Sequence, residues 1–141
     1  EMQRSLVGSE MCIRDRYYEL HRMRIAMMRD LLTEWGVFDE RARGILGALY
    51  ARYVMSTLER IHSDGRQRGK ATKLAWVCDI MRDPLYAELI PCAQPRDSRF
   101  LRVGVRVLQS GNAGRCLMLG KAIACARKYR YKMFTKARSE R

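Results

Sequence analysis

Five cysteines, two histidines and the scattered carboxylates are the side chains here that could do covalent, acid–base or metal chemistry. Cys12, Cys78, Cys92, Cys116 and Cys125 form no C-x-x-C pair, and only His21 and His62 could complete a ligand set with them. That spacing does not suit zinc, which takes ligands in closely spaced pairs. The chain has no G-x-x-x-x-G-K-[ST] loop, no G-x-G-x-x-G and no H-E-x-x-H. No Ser/His/Asp set assembles from motifs. No Asp-x-Asp occurs that could hold a metal against a diphosphate. The carboxylates sit among Arg and Lys, as on a solvated helix face. We therefore expect no catalytic, cofactor-binding or metal-binding residue in this chain.

The chemistry that remains is charge. Of a formal net charge of +13, the residues from 96 to 141 carry +11 and the residues before them +2. So uneven a distribution implies an anionic partner, either a membrane surface or nucleic acid. The candidates are Arg99, Arg102, Arg106, Lys121, Lys128, Lys132 and Lys136. Tyr129, Tyr131 and Phe134 are interleaved with the last of them. Three uses compete. The cations could track a phosphate backbone. They could lie on an anionic leaflet, with the aromatics at headgroup level. Or the segment could be a soluble helix packing one face on the rest. No nucleic-acid-binding motif supports the first.

The elements that position these residues read as helices. Tyr18, His21, Ile25, Met28, Leu32 and Trp35 recur at steps of three and four, which predicts a helix over about Tyr17–Trp35. Gly36 is its natural stop. His21 reads as a packed histidine on that face. Asp39 can cap a second helix to about Ile61, with Leu46, Leu49, Tyr50, Tyr53, Thr57 and Ile61 inward. Its Gly44 and Gly47 would allow close approach to the first helix. The short "WGVFD" link makes the two an antiparallel hairpin. "HSDGRQRG" is a loop. A third helix runs from about Lys70 to Arg82, with Leu74, Val77, Cys78 and Met81 inward, and Asp83-Pro84 ends it. A turn of helix, "PLYAELI", precedes a linker at residues 91–98.

Residues 98–110 are ambiguous. Leu101, Val103, Val105 and Val107 alternate as in a strand. Leu101, Val105 and Leu108 also share one helix face, with Asp97 or Ser98 as cap. After a turn at Gly111-Asn112, a helix is expected from Ala113 to about Phe134. Its stripe would be Leu119, Ala122, Ala126, Tyr129 and Met133, with Lys121, Lys128 and Lys132 opposite. The cysteines read as small, mostly buried thiols, and their odd number without a signal peptide fits a reducing compartment. No apolar run approaches the ~20 residues of a membrane-spanning helix.

Two resemblances add to this. "SLVGSEMCIRDR" resembles translated adapter or assembly-junction read-through at the ends of metagenomic gene predictions. That resemblance implies that residues 1–16 are not native. The body, "YYELHRMRIAMMRDLLTEWGVFDE", then "ARYVMSTLERI", then "KATKLAWVCDIMRDPLYAELI", resembles the C-terminal helical extension of bacterial family 2 glycosyltransferases. The resemblance covers about Tyr17–Ile90 and, more loosely, the basic end, and it favours helix over strand for residues 98–110. It implies a nucleotide-sugar donor and a divalent metal for the full-length enzyme, both held by an N-terminal catalytic domain. No catalytic residue carries over onto this chain.

The expectation is thus an all-α fragment, with a helical extension over 17–90, a linker over 91–98 and one or two basic amphipathic helices over 99–141. Tyr18, Ile25, Met28, Leu32 and Trp35 would form the face that packs on the catalytic domain. The basic end would dock on the cytoplasmic leaflet, making the protein cytoplasmic and peripheral on the plasma membrane. The severed face would promote self-association. The rival expectation is a small basic helical module that binds nucleic acid or a protein.

Overall fold

The computed structural model describes residues 9–63, 69–96 and 98–139, which form helices joined by short turns, with no strand among them. Six helices follow in order: α1 Ser9–Glu34, α2 Glu40–Ser63, α3 Lys70–Met81, α4 Pro84–Leu89, α5 Arg99–Gln109 and α6 Ala113–Ser139. The fold is all-α, as expected, and it includes the stretch whose periodicity fits helix and strand equally. Most of the expected "HSDGRQRG" loop, residues 64–68, lies outside the described residues.

The hairpin of α1 and α2 closes through hydrogen bonds specified by glycine. The Gly36 N–H donates to the Thr33 carbonyl and the Val37 N–H to the Leu32 carbonyl, both at 3.0 Å. This is the Schellman pattern, and it needs a residue at positive φ; Gly36 has φ 70°. Asp39 then caps α2, its carboxylate accepting from the Ala42 N–H at 2.8 Å. α1 begins at Ser9 rather than near Tyr17, and its backbone continues through Tyr17 without a break. A helix already nucleated by a packed segment propagates readily through residues such as Met11, Arg14 and Arg16. Residues 1–8, part of the stretch expected to be read-through, lie outside the described residues.

α2 is the central helix. It packs against α1, α4, α5 and most extensively α6. Leu46, Tyr50, Thr57 and Ile61 of its expected stripe are buried, with Leu49 and Tyr53 packed at the edge. Ala51, Val54, Met55 and Leu58 are buried as well. Burial thus reaches much further round α2 than one stripe, because neighbours lie on several sides. The two early glycines do not face α1. A Cβ on Gly47 would sit 2.6 Å from the Leu89 carbonyl oxygen, and one on Gly44 would meet the Gln94 side chain. These glycines admit the turn after α4, whose Gln94 N–H donates to the Gly44 carbonyl at 3.1 Å.

α4 starts on Asp83, which accepts from the Leu85 N–H at 3.0 Å, and Pro84 fills the first helical position. The ambiguous stretch is helix α5. Ser98 caps it through the Leu101 N–H at 3.3 Å, and Leu101, Gly104, Val105 and Leu108 are buried. Asp97, the alternative cap, lies outside the described residues. Val103 is 59 % exposed, so the alternation that suggested a strand does not decide burial. Tyr86 donates to the Leu108 carbonyl at 2.6 Å and Gln109 to the Ile90 carbonyl at 3.1 Å, tying α4 to α5.

α6 starts on Asn112, whose side chain accepts from the Arg115 N–H at 3.2 Å. Its inner face differs from the expected stripe. Cys116, Leu117, Gly120 and Ala124 are buried, with Leu119 and Ile123 packed at the edge. Ala122, Ala126, Tyr129 and Met133 are exposed. Gly120 sets the phase, because the Leu58 carbonyl of α2 comes within 2.6 Å of where its Cβ would lie. No residue from 125 to 137 is buried. The helix therefore outruns the core by more than three turns.

Candidate anionic-surface interface

The cations fall on three elements. Lys121, Lys128, Lys132 and Lys136 recur at steps of seven, four and four, which puts them on one side of α6. All four are exposed. The row runs about 22 Å along the helix. Tyr129 and Tyr131 flank it at 67 % and 72 % exposure. Phe134 is also exposed.

At its inner end this row meets two lysines of α3 that sequence spacing does not connect with it. A cavity of about 400 Å³ is lined by His62, Lys70, Lys73, Leu117, Met118 and Lys121. His62 donates through Nε2 to the Leu117 carbonyl at 2.8 Å. Burial lowers the His62 pKa, the Leu117 carbonyl opposes that, and the charges of Lys73 and Lys121 lower it further. Nothing local predicts this grouping, since about fifty residues separate Lys70 from Lys121.

The arginines of α5 are placed differently. Arg99, Arg102 and Arg106 are exposed on one side of that helix. Arg102 is partly engaged, donating to the carbonyls of Pro95 at 3.3 Å and Arg96 at 3.2 Å. Arg127 of α6 is drawn back to the body by the buried carboxylate of Glu59 at 3.0 Å. These two lie in a second cavity of about 430 Å³ with Tyr17, Tyr53 and Phe100.

The expected domain-packing face is divided. Tyr18 packs on the core, and Ile25 is fully buried in it. Tyr18 donates to Asp83 at 2.7 Å and lies 2.6 Å from the Tyr50 hydroxyl, and Arg22 pairs with the same carboxylate. Burial would raise the Asp83 pKa, but the hydrogen bonds from Arg22, Tyr18 and the Leu85 N–H hold it below the usual carboxylate range. Burial also pushes both tyrosines up, so neither ionises at ordinary pH. Leu32 is half-buried, and Met28 and Trp35 are exposed. His21 stacks on Tyr53 at 4.1 Å, and Tyr17 meets it edge-on at 4.3 Å. It is a packed histidine.

Cys78, Cys92, Cys116 and Cys125 are free thiols. Only Cys116 among them is buried; Cys78 is half-buried, and Cys92 and Cys125 are exposed, against the expectation of mostly buried thiols. The Cys12 side chain lies outside the described residues. Among the described residues no three His, Cys, Asp or Glu side chains converge as a metal site, and no helix is long and apolar enough to cross a membrane. Searches against protein-family models, curated proteins and solved structures return no match.

Proposed function

We propose that this chain is the C-terminal helical extension of a bacterial family 2 glycosyltransferase, and that it holds the enzyme on the anionic cytoplasmic leaflet. The observation that carries the docking is the exposed lysine row of α6, continued at its inner end by Lys70 and Lys73. In this reading the catalytic domain, with its nucleotide-sugar and divalent metal, lies N-terminal to Tyr17. It would act on a cell-surface polysaccharide or glycolipid acceptor, and the chain by itself has no transferase activity. The lineage rests on the resemblance of Tyr17–Ile90.

Each cation near an anionic leaflet contributes about 1 kcal/mol. Cosedimentation with vesicles of phosphatidylglycerol and phosphatidylcholine tests the docking. Binding should need the anionic lipid, weaken with salt, and fall at least about tenfold in K128E/K132E. Equal binding to neutral vesicles, or none to either, overturns it. A salt-dependent shift of oligonucleotides without vesicle binding would identify a nucleic-acid module instead, and the interleaved Tyr129, Tyr131 and Phe134 could stack on bases. An independent read of the source DNA upstream of the Tyr17 codon tests the lineage. It should continue into a strand–helix domain with an Asp-x-Asp.

A further inference from the structure

α1 carries two apolar faces. One, with Tyr18 and Ile25, is buried inside the fold. The other points away from the core. Leu20, Met23, Met27 and Leu31 follow steps of three and four on it, and all are exposed, from 43 % to 67 %. Met28 and Trp35 share it at 45 % and 67 %, and Val37 extends it into the hairpin turn at 50 %. The stripe is about 22 Å long. A soluble surface rarely leaves so continuous an apolar strip uncovered.

Two charges lie within the stripe. At about 100° per residue, Arg24 falls between Leu31 and Trp35, and Glu34 falls between Met23 and Met27. Both are exposed. Neither has an ion-pair partner among the described residues. Their spacing makes the stripe complementary to itself. A second α1 laid antiparallel, with the two-fold axis near position 29, sets Met27 against Leu31 and Met23 against Trp35. It brings Leu20 to Val37. The same register sets Arg24 against Glu34, twice. A parallel pairing sets each charge against its own kind.

We infer that this face binds a second copy of this chain, α1 against α1 in antiparallel register, with Arg24 of each copy paired to Glu34 of the other. Charge pairs of this kind specify register and orientation in paired helices. Antiparallel alignment also sets the helix dipoles favourably. Methionine-rich strips adapt to such a contact. The core-packing side of α1, with Tyr18 and Ile25, is turned away from this stripe. A standard interface takes about 800 Å² from each partner, and the stripe offers large, half-exposed apolar side chains for its centre. The inference does not depend on the glycosyltransferase reading.

The test is sedimentation equilibrium of the full chain at physiological ionic strength. The wild type should dimerise at micromolar concentration. R24E and E34R each set like charges together twice and should weaken the dimer at least about tenfold. The double variant R24E/E34R should recover it. More specifically, an equimolar mixture of R24E and E34R should form a heterodimer, because every cross-pair is then complementary. Both positions are exposed, so circular dichroism should be unchanged in each variant. A wild type that stays monomeric up to roughly 100 µM overturns the inference. So does a dimer indifferent to the single reversals, or a mixture that does not associate. A stripe reserved for another domain or for lipid would produce the first of these.

Discussion

At the scale of single residues, the centre of the molecule is a carboxylate that no catalytic motif flags. Asp83 caps α4, accepts from Tyr18, and pairs with Arg22, so one side chain joins α1 to α4 while Tyr18 extends the link to Tyr50 on α2. Its burial is tolerable because each oxygen has a donor. Asp83→Asn keeps the cap but loses the charge partner of Arg22, and should cost about 1–3 kcal/mol at neutral pH. The pH dependence has a definite sign. The folded-state pKa lies below the ordinary 3.8, so this stabilisation is complete above pH 3.8 and is lost as pH falls through the folded value. Urea unfolding of both proteins over a pH series should show a gap that is constant above that point and closes below it. Sequence alone reads Asp83-Pro84 as a helix stop, which it is. It does not reveal that Asp83 is also the junction, because its partners are 61 and 65 residues away.

At the scale of elements, glycine positions decide how closely helices pack. A Cβ added at Gly47 or Gly120 would lie 2.6 Å from a backbone carbonyl oxygen, that of Leu89 in the first case and of Leu58 in the second. Backbone cannot step aside without moving a helix. Gly104 faces only the end of the Met55 side chain, which can turn away. Alanine gains up to ~1 kcal/mol in helix propensity over glycine at all three. Gly47→Ala and Gly120→Ala should nevertheless destabilise by about 1–3 kcal/mol, as overpacked sites do, while Gly104→Ala should be near neutral. Chemical denaturation of the three variants checks the order. Helix existence, caps and breaks were legible at this scale: Asp39, Gly36 and the Asp83-Pro84 stop behave as their chemistry requires. The phase of α6 was not. Its apolar, small and aromatic residues are spread round the helix, and only contact with Leu58 selects the Gly120 side as inner.

At the scale of the whole molecule, the body and the projecting half of α6 do different work. No residue from 125 to 137 is buried, so this stretch adds little to the core. Deleting the chain from Lys128 onward keeps the Arg127–Glu59 pair and should lower Tm by no more than about 4 °C, the shift that ~1 kcal/mol makes in a domain of this size. The same deletion should abolish binding to phosphatidylglycerol vesicles. A large loss of Tm in calorimetry would mean that the distal helix supports the fold.

The sequence by itself determined the helices outside residues 98–110, the hairpin, the breaks between helices and the concentration of positive charge at one end. Those follow from local causes: apolar period, capping chemistry, proline and glycine stereochemistry, and composition. Only the tertiary structure decided which face of each helix is inward. It made α2 central, turned Tyr18 and Ile25 inward while leaving Leu20, Met27 and Leu31 in water, resolved residues 99–109 as helix through burial of Leu101 and Leu108, and brought Lys70 and Lys73 beside Lys121. The reason is that α1 has apolar residues on two sides and α6 on nearly all. Periodicity alone cannot choose between equivalent faces. Contact with a neighbouring helix chooses, and the neighbour is distant in the chain.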